Sequence, residues 1–252
     1  MLTLIRINRG LSILIITLLV SVLSVILGYW SEIEVLDGQS GSRQTLSYSS
    51  IRAVQTIANF DSDIAGLVPS GWTSISGSWS VVTDGSSPSQ PHSYAQLRRT
   101  AGMNHLTASL YSYDFTKQVH VLWEMKTSNT AGSGWASFGL TFLYQDSNNY
   151  YLIRRDDNGG DNNYIHVIKI VNGKETDLVR IPVGGTTSGA WRGYQITVFT
   201  NGSQATIQYN LDSHVGTVTD STTWTTGRIG LMTSSQAPST ADATFDNIFI
   251  FY

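Results

Sequence analysis

The chain of 252 residues contains no cysteine and carries little charge. Without cysteine it has no disulfide framework, no thiol nucleophile and no cysteine-type zinc site. Charged residues make up 13% of the chain, against about 25% in an average soluble domain. Only four residues are glutamates and four are lysines, so long surface helices held by Glu–Lys pairs are not expected. The net charge of −3 leaves no basic surface, and we expect no nucleic-acid partner.

The N-terminal part of the chain contains one long apolar run without charge, from Leu11 to Trp30. Its length of about 20 residues matches a bilayer core of about 30 Å. Arg6 and Arg9 precede the run, so the positive-inside rule places the N terminus in the cytoplasm and the rest of the chain outside. We predict a cytoplasmic leader over residues 1–10 and a helix over residues 11–36 that contacts membrane lipid or copies of itself.

The residues at the start of this run, Arg9-Gly10-Leu11-Ser12, resemble the class III signal of archaeal type IV pilins. The resemblance implies cleavage between Gly10 and Leu11, after which the apolar helix stays on the mature protein and forms a filament core. A plain signal-anchor is the first alternative. A conventional cleaved signal is the second, but it has an apolar region of about 7–15 residues and a small-residue site, which the end of this run does not offer.

Residues 37–59 predict a linker that also contains a first strand. Residues 37–42 are rich in Gly and Ser, as in flexible linkers. Residues 50–58 alternate loosely between apolar and polar side chains, which indicates a strand.

From Phe60 to Tyr252 the sequence is a series of short alternating segments separated by turn residues. Apolar residues at 119, 121, 123 and 125 show the period of two that is typical of half-buried strands. Asn172-Gly173 and Asn201-Gly202 favour hairpin turns. The predicted fold class is all-β, a two-sheet antiparallel jelly-roll sandwich over residues 60–252, preceded by one N-terminal hydrophobic α-helix.

An ordered set of short fragments in this region resembles the concanavalin A-like lectin/glucanase jelly rolls, and is most similar to their laminin-G-like and 3-keto-disaccharide-hydrolase-like members. The fragments are Gly71-Trp72, Gly77–Val81, Tyr150–Arg154, Val171–Lys174, Gly227–Leu231 and Phe245–Ile248. The resemblance implies a sandwich that serves as a lectin, an enzyme or an adhesive module. It also implies a structural calcium ion between Asp61 or Asp63 and Asp246, because several such jelly rolls join a carboxylate at the domain start to one near the last strand.

Glucanases of this fold carry two or three carboxylates close together on one strand, since a retaining mechanism needs two about 5 Å apart. After residue 60 the only glutamates are Glu124 and Glu175. Lys126 stands where a second acid would be expected beside Glu124. We therefore predict that the protein is not an enzyme, with a glycoside hydrolase of the same fold as the less favoured alternative.

Carbohydrate recognition uses aromatic platforms and a few polar groups. The alternation predicts that one face of the sandwich, turned away from the core, carries Glu124, Trp135, Ser137, Thr141, Gln195 and Thr197. Of these, Glu124, Trp135 and Gln195 are the candidate glycan ligands. The sole Asn-x-Ser/Thr sequon begins at Asn201, on a predicted turn where a glycan would stand outside the fold.

Together these features predict an extracellular surface protein. The first hypothesis is a pilin-like structural or adhesive filament subunit with an outward-facing lectin-like sandwich. The alternative is a signal-anchored carbohydrate-binding module. Structural calcium is the only cofactor expected, and glycans are the expected soluble partners.

Overall fold

The computed structural model describes residues 33–36, 43–46, 56–96, 107–127, 136–157, 163–184, 189–235 and 243–251. The chain divides into two compact units, Met1–Val54 and Gln55–Tyr252.

The described residues of the first unit form an antiparallel hairpin of β1 (Ile33–Leu36) and β2 (Arg43–Leu46). The predicted helix is therefore wrong over residues 33–36, where β-branched Ile33 and Val35 alternate with polar residues and favour a strand. The predicted leader, the cleavage site at Gly10 and Leu11 and the rest of the helix lie outside the described residues. Within the described residues, no helix is long and apolar enough to cross a membrane.

The described part of the second unit consists of strands joined by turns and loops, with no helix. The strands are β3 (Thr56–Ala58), β4 (Trp72–Ser76), β5 (Trp79–Thr83), β6 (His92–Gln96), β7 (Thr107–Thr116), β8 (Gln118–Thr127), β9 (Ala136–Asp146), β10 (Asn149–Asp157), β11 (Asn163–Val171), β12 (Lys174–Val183), β13 (Arg192–Thr200), β14 (Gln204–Leu211), β15 (His214–Ser221), β16 (Thr226–Ser235) and β17 (Ala243–Phe251).

These strands form two antiparallel sheets, as the sequence predicts. The seven-stranded sheet has the order β12-β11-β10-β9-β16-β7-β4. The eight-stranded sheet has the order β15-β14-β13-β8-β17-β6-β5, and β3 pairs with β17 as its eighth strand. Because β3 belongs to this sheet, the sandwich begins at Thr56 rather than at the predicted Phe60.

The core lies between the two sheets and follows the period of two. On β8, Val119, Val121, Trp123 and Met125 are all at most 2% exposed, whereas the residues between them are partly exposed. Trp123 stacks on Tyr194 of the neighbouring β13, with ring centroids 5.6 Å apart. Burial of each large aliphatic or aromatic side chain stabilises the fold by about 1.5–3 kcal/mol, and this replaces the disulfides that the chain lacks.

Both predicted Asn-Gly hairpin turns are present. Asn172 (φ 51°) and Gly173 (φ 75°) connect β11 to β12, and two successive positive φ values are what the tight type I′ turn requires. At the β13–β14 turn, the side-chain Oδ1 of Asn201 accepts hydrogen bonds from the main-chain N–H groups of Ser203 and Gln204. Asparagine and glycine therefore set the register of both hairpins.

Candidate functional site

The outer faces of the two sheets, which point away from the core, differ in burial. On the eight-stranded sheet the outward side chains of β14 include the exposed, neutral Gln208 and Asn210. On the seven-stranded sheet, Tyr151 and Ile153 of β10 point into the core, so Leu152 points outward. Leu152 is nevertheless only 1% exposed, and it belongs to a second apolar cluster that the core does not share. The members of this cluster are Leu110, Tyr144, Tyr150, Leu152, Ile168, Ile170 and Met232.

Next to this second apolar cluster lies a group of polar side chains that we call the Arg154 cluster, formed by Arg154, Asp156, His166, Glu175 and Asp177. They come from three adjacent strands, β10, β11 and β12. Arg154 of β10 lies directly opposite His166 of β11, and β11 pairs with β12 on its other side. The Nη1 atom of Arg154 donates a hydrogen bond to Glu175 Oε1 at 3.0 Å. The side chains of Arg154, Asp156 and His166 are only 18%, 9% and 6% exposed.

The imidazole of His166 lies between two carboxylates from different strands. Its Nδ1 is 2.9 Å from Asp177 Oδ1, and its Nε2 is 3.4 Å from Asp156 Oδ2. A neutral imidazole donates only one of these two contacts, whereas an imidazolium donates both. His166 therefore links the edge strand β12, through Asp177, to β10, through Asp156.

Three buried polar atoms on this outer face have no hydrogen-bond partner among the described residues. They are Nε of Arg154, Oδ1 of Asp156 and Oγ1 of Thr141, which lies opposite Leu152 on β9. The Arg154 and Asp156 atoms are 2.8 Å apart and attract each other as an ion pair, but their geometry is not that of a hydrogen bond. Buried polar atoms are nearly always satisfied in folded proteins, so a water molecule or a ligand hydroxyl that reached these three atoms would be bound favourably.

Aromatic rings border the same face. The guanidinium of Arg180 lies 3.8 Å from the ring centroid of Tyr164, beside His166. At the other end of the face Tyr144 and Tyr150 stack with centroids 5.6 Å apart. A hydroxyl-rich ligand uses charge-assisted hydrogen bonds beside an aromatic ring. Of these rings Tyr164 is partly exposed, whereas Tyr144 and Tyr150 are buried.

The residues predicted to share the outward face with the glycan ligands are divided between the two sheets. Glu124 and Gln195 lie on the outward side of the eight-stranded sheet, and Glu124 Oε2 accepts a hydrogen bond of 2.7 Å from Asn247 Nδ2. Ser137 and Thr141 lie on β9 in the other sheet, and Trp135 lies outside the described residues. The prediction that these side chains share one face is wrong for Ser137 and Thr141, because a period of two shows which side of its strand a residue occupies but not which sheet the strand joins.

Of the three predicted calcium ligands, the structure brings two together. Ser89 Oγ lies 2.9 Å from Asp246 Oδ1 and 3.4 Å from Asp61 Oδ1, and it donates to the carbonyl oxygen of Asn59 at 3.0 Å. Asp246 is fully buried, and burial, with the charge of Asp61 as a smaller cause, raises its pKa to about 6. Asp63 lies apart, where its Oδ1 accepts a hydrogen bond of 3.4 Å from the N–H of Ser70 in an exposed loop.

The oxygen atoms around Asp246 are of the kinds that bind a hard divalent cation. Two carboxylates, a main-chain carbonyl and a hydroxyl meet there, and oxygen donors of these kinds are what calcium prefers. Within the described part of the chain, no group of three or more His, Asp or Glu side chains is placed to hold a metal ion. A cation bound here would therefore take its remaining ligands from main-chain carbonyl and hydroxyl oxygens.

The Arg154 cluster was not predicted from the sequence. The run that starts at Asp156 is rich in Asp, Asn and Gly and is typical of a solvated loop, yet β10 continues to Asp157. The available signal was a change in the alternation of β10. As far as Ile153, apolar residues occupy both faces of β10. From Arg154 onwards, charged residues occupy both faces.

Comparison with known proteins supports the fold. The chain is similar to the carbohydrate-binding module CBM66 from Bacillus subtilis, with 19% identity over 72% of this chain and 96% of the module and a TM-score of 0.50. The second unit shares the two-sheet jelly-roll fold of this module. The chain is also similar to a xylan β-1,4-xylosidase from Bacillus halodurans C-125, with 12% identity, 84% of this chain but only 42% of the enzyme covered, and a TM-score of 0.50.

A third similar structure is the carbohydrate recognition domain of Emp47p, with 14% identity, 77% of this chain and 93% of that domain covered, and a TM-score of 0.47. No protein-family model and no curated protein sequence matches the chain. At these identities the likeness shows the fold alone, so a ligand has to be argued from the residues of this chain.

Proposed function

We propose that this protein is a cell-surface glycan-binding protein whose sandwich binds a neutral, hydroxyl-rich glycan on the outer face of the seven-stranded sheet. The observation that carries the proposal is the set of unsatisfied buried atoms of Arg154, Asp156 and Thr141 on that face. A sugar hydroxyl both donates and accepts, so it can bond to Asp156 Oδ1 and to Arg154 Nε at once. The lectin-like fold supports the proposal but does not choose the ligand.

The neighbouring residues explain why the ligand would be neutral. Arg154 is already flanked by the carboxylates of Asp156 and Glu175, and Asp177 adds a third negative charge beside His166. An anionic sugar would meet these carboxylates at short range in a poorly hydrated place, where like charges repel strongly. The buried apolar side chains of Leu152 and Ile168 lie beside these charges and keep the place poorly hydrated.

The experiment is a binding assay of the full chain against a panel of neutral and acidic polysaccharides, with Arg154→Ala and Asp156→Asn as test variants. Loss of one charge-assisted hydrogen bond costs about 1.5–3 kcal/mol, or roughly 10- to 100-fold in affinity. Gln195→Ala on the other sheet is the matched control and should bind as the wild type does. Thermal unfolding of each variant checks that the fold is kept.

The outcome of this assay separates the two candidate surfaces. If Arg154→Ala and Asp156→Asn bind normally while Trp135→Ala, Glu124→Gln or Gln195→Ala loses affinity, the glycan binds at the residues predicted from the sequence and our assignment of the site is wrong. If no polysaccharide binds the wild type, the proposed function itself fails.

We further propose that the protein binds glycans without hydrolysing them. The support is the shortage of glutamate and the hydrogen bond that engages Glu124 with Asn247. Incubation of the wild type with the bound polysaccharide should release no reducing ends. Release that disappears in Glu124→Gln would identify a glycoside hydrolase instead.

The proposed location is the cell surface, with the apolar run of residues 11–30 as a membrane anchor or as the core of a filament. The support is the sequence alone, an uncharged apolar run preceded by Arg9-Gly10. N-terminal sequencing of the native protein distinguishes the two forms, because a filament subunit of the pilin kind would begin at Leu11. A chain that begins at Met1 would leave only the membrane anchor, and one that begins after Trp30 would exclude both.

We also propose that a calcium ion is held by Asp61 and Asp246. The ion would neutralise two carboxylates that the fold brings together and would link the start of the sandwich to β17. A melt of the full chain with and without a chelator tests this, and an unchanged midpoint would remove the ion from the proposal.

A further inference from the structure

The two sheets of the sandwich end in four edge strands, β4 and β12 in the seven-stranded sheet and β5 and β15 in the eight-stranded sheet. The strand β3, which pairs only with β17, adds a further edge of three residues. An edge strand presents unpaired main-chain N–H and C=O groups that can pair with another chain. Proteins usually prevent this with covering loops, charged side chains, proline, bulges or short strands. The four edges of this sandwich differ in which of these features they have.

Three of the edges are blocked. The edge of β5 is covered by the preceding loop, because Gly66 N–H donates to the carbonyl of Val81 and Val81 N–H donates to the carbonyl of Leu67, each at 2.8 Å. The edge strand β4 is only five residues long, and its register with β7 breaks after Ser74. The edge strand β12 carries charges and a proline, namely Lys174, Glu175, Asp177, Arg180 and Pro182.

The fourth edge strand, β15, is the least protected of the four, since its single charged side chain, Asp220, is paired with Lys169 of the opposite sheet. Its eight residues pair with β14 in an unbroken register from His214 to Ser221. It contains no lysine, arginine or proline. Among the described residues no strand pairs with its other side, and the outward side chains of Val215, Thr217 and Thr219 are exposed, Val215 by 77%.

We propose that two copies of this chain associate by antiparallel pairing of their β15 strands, with Thr217 on the two-fold axis. Such a contact uses the same patch on both copies, so the strand must be complementary to itself. In this register the opposed residues are His214 with Asp220, Val215 with Thr219, and Gly216 with Val218. No like charges meet, and the acidic residue of each strand lies opposite the histidine of the other. We infer that the partner is a second copy of this chain, because pairing β15 with itself brings no two like charges together.

The carboxylate of Asp220 binds two side chains of the opposite sheet. Its Oδ2 accepts a hydrogen bond of 2.6 Å from the hydroxyl of Tyr151 and lies 2.6 Å from Lys169 Nζ, both on the seven-stranded sheet. The end of β15 is therefore fixed by the opposite sheet, and the edge is presented to a partner as a rigid strand, which lowers the entropy cost of pairing.

Because the chain has no cysteine, single-cysteine variants report on this contact without background. Directly opposed residues of antiparallel strands have Cα atoms about 4.5–5.5 Å apart, within the range that a disulfide spans. The full-length Thr217→Cys variant should form a disulfide-linked dimer under mild oxidation. The matched control is Gln208→Cys, which is opposite Thr217 on the next strand inward. Its two copies would lie about 14 Å apart, beyond disulfide reach.

A mixing experiment checks the register. Val215→Cys and Thr219→Cys should each cross-link poorly alone and well when the two variants are mixed. Thr217→Lys, which adds the charge that the edge lacks, should lower the dimer fraction measured by light scattering on the otherwise native chain. The proposal is overturned if Thr217→Cys cross-links no faster than Gln208→Cys, or if its adducts contain another protein instead of a second copy.

Discussion

The pKa of Asp246 gives a quantitative test of the proposed calcium site. Burial raises this pKa from 3.8 to about 6 in the folded chain without a cation. Between these two values the folded state binds more protons than the unfolded state, so stability falls as the pH rises through this window. The stabilisation is complete below about pH 4 and is lost above about pH 6. A shift of this size corresponds to about 3 kcal/mol.

The perturbation is Asp246→Asn, which keeps the size and one acceptor oxygen but cannot ionise. In a chelator, the stability of the variant relative to the wild type should rise by about 3 kcal/mol between pH 4 and pH 7.5. Denaturant unfolding at the two pH values measures it. Taking the difference between two proteins removes every other titrating group, including His120, whose titration overlaps this window with the opposite sign. The reasoning is refuted if the difference is the same at both pH values.

Calcium should restore to the wild type, at neutral pH, the stability that it loses when Asp246 ionises. A ligand present at 100 times its dissociation constant stabilises the folded state by about 2.7 kcal/mol, which for a domain of this size raises the melting temperature by roughly 5–11 °C. The wild type should show this gain, and Asp246→Asn should show little of it. Equal gains in both proteins would place the ion elsewhere.

Three further substitutions test the fold and its charges by denaturant unfolding. Asp212→Ala removes the carboxylate that lies 2.6 Å from the guanidinium of Arg155, a residue that is 1% exposed. The free energy of unfolding should fall by about 3–5 kcal/mol, because a buried charge is left unpaired. A smaller loss would mean that the Arg155 guanidinium finds another partner. Gly139→Ala places a Cβ 1.9 Å from a main-chain oxygen of the neighbouring strand and should cost at least about 1–3 kcal/mol, whereas Gly193→Ala meets nothing within 4 Å and should cost less. Burial lowers the pKa of His120 to about 4, so stability is lost as the pH falls from about 6.5 towards 4; His120→Asn should flatten that acid limb, and an unchanged limb would contradict the assignment.

The sequence predicts local structure well because local structure depends on neighbours. The alternation around Trp123 identifies β8 and its buried face, and Asn172-Gly173 identifies a hairpin because few residues tolerate positive φ. It does not show which sheet a strand joins. Thr141 and Gln195 both point away from the core, yet they lie on opposite surfaces of the sandwich, since strand order depends on pairings between distant segments.

The candidate site was missed for a related reason. Asp156 looks like a loop residue when only its polar neighbours in the chain are considered. In the folded sheet it is paired with Ser137 on one side and Tyr164 on the other, and its partners Arg154 and His166 come from two strands. The composition of the chain shows only that charged residues are few, and it does not show that the fold brings several of them together within one sheet.

The two proposals predict that glycan binding should be strengthened by pairing through β15. Pairing extends the eight-stranded sheet, whereas the Arg154 cluster lies on the outer face of the other sheet, so each dimer would carry two uncovered sites. Two linked sites bind a repeating polymer more tightly than one, because the second binding step is intramolecular. Thr217→Lys should therefore weaken binding to a long polysaccharide while leaving its affinity for a short oligosaccharide unchanged. A titration of both ligands measures this, and equal affinities of wild type and variant for the polymer would show that the two copies do not bind it together.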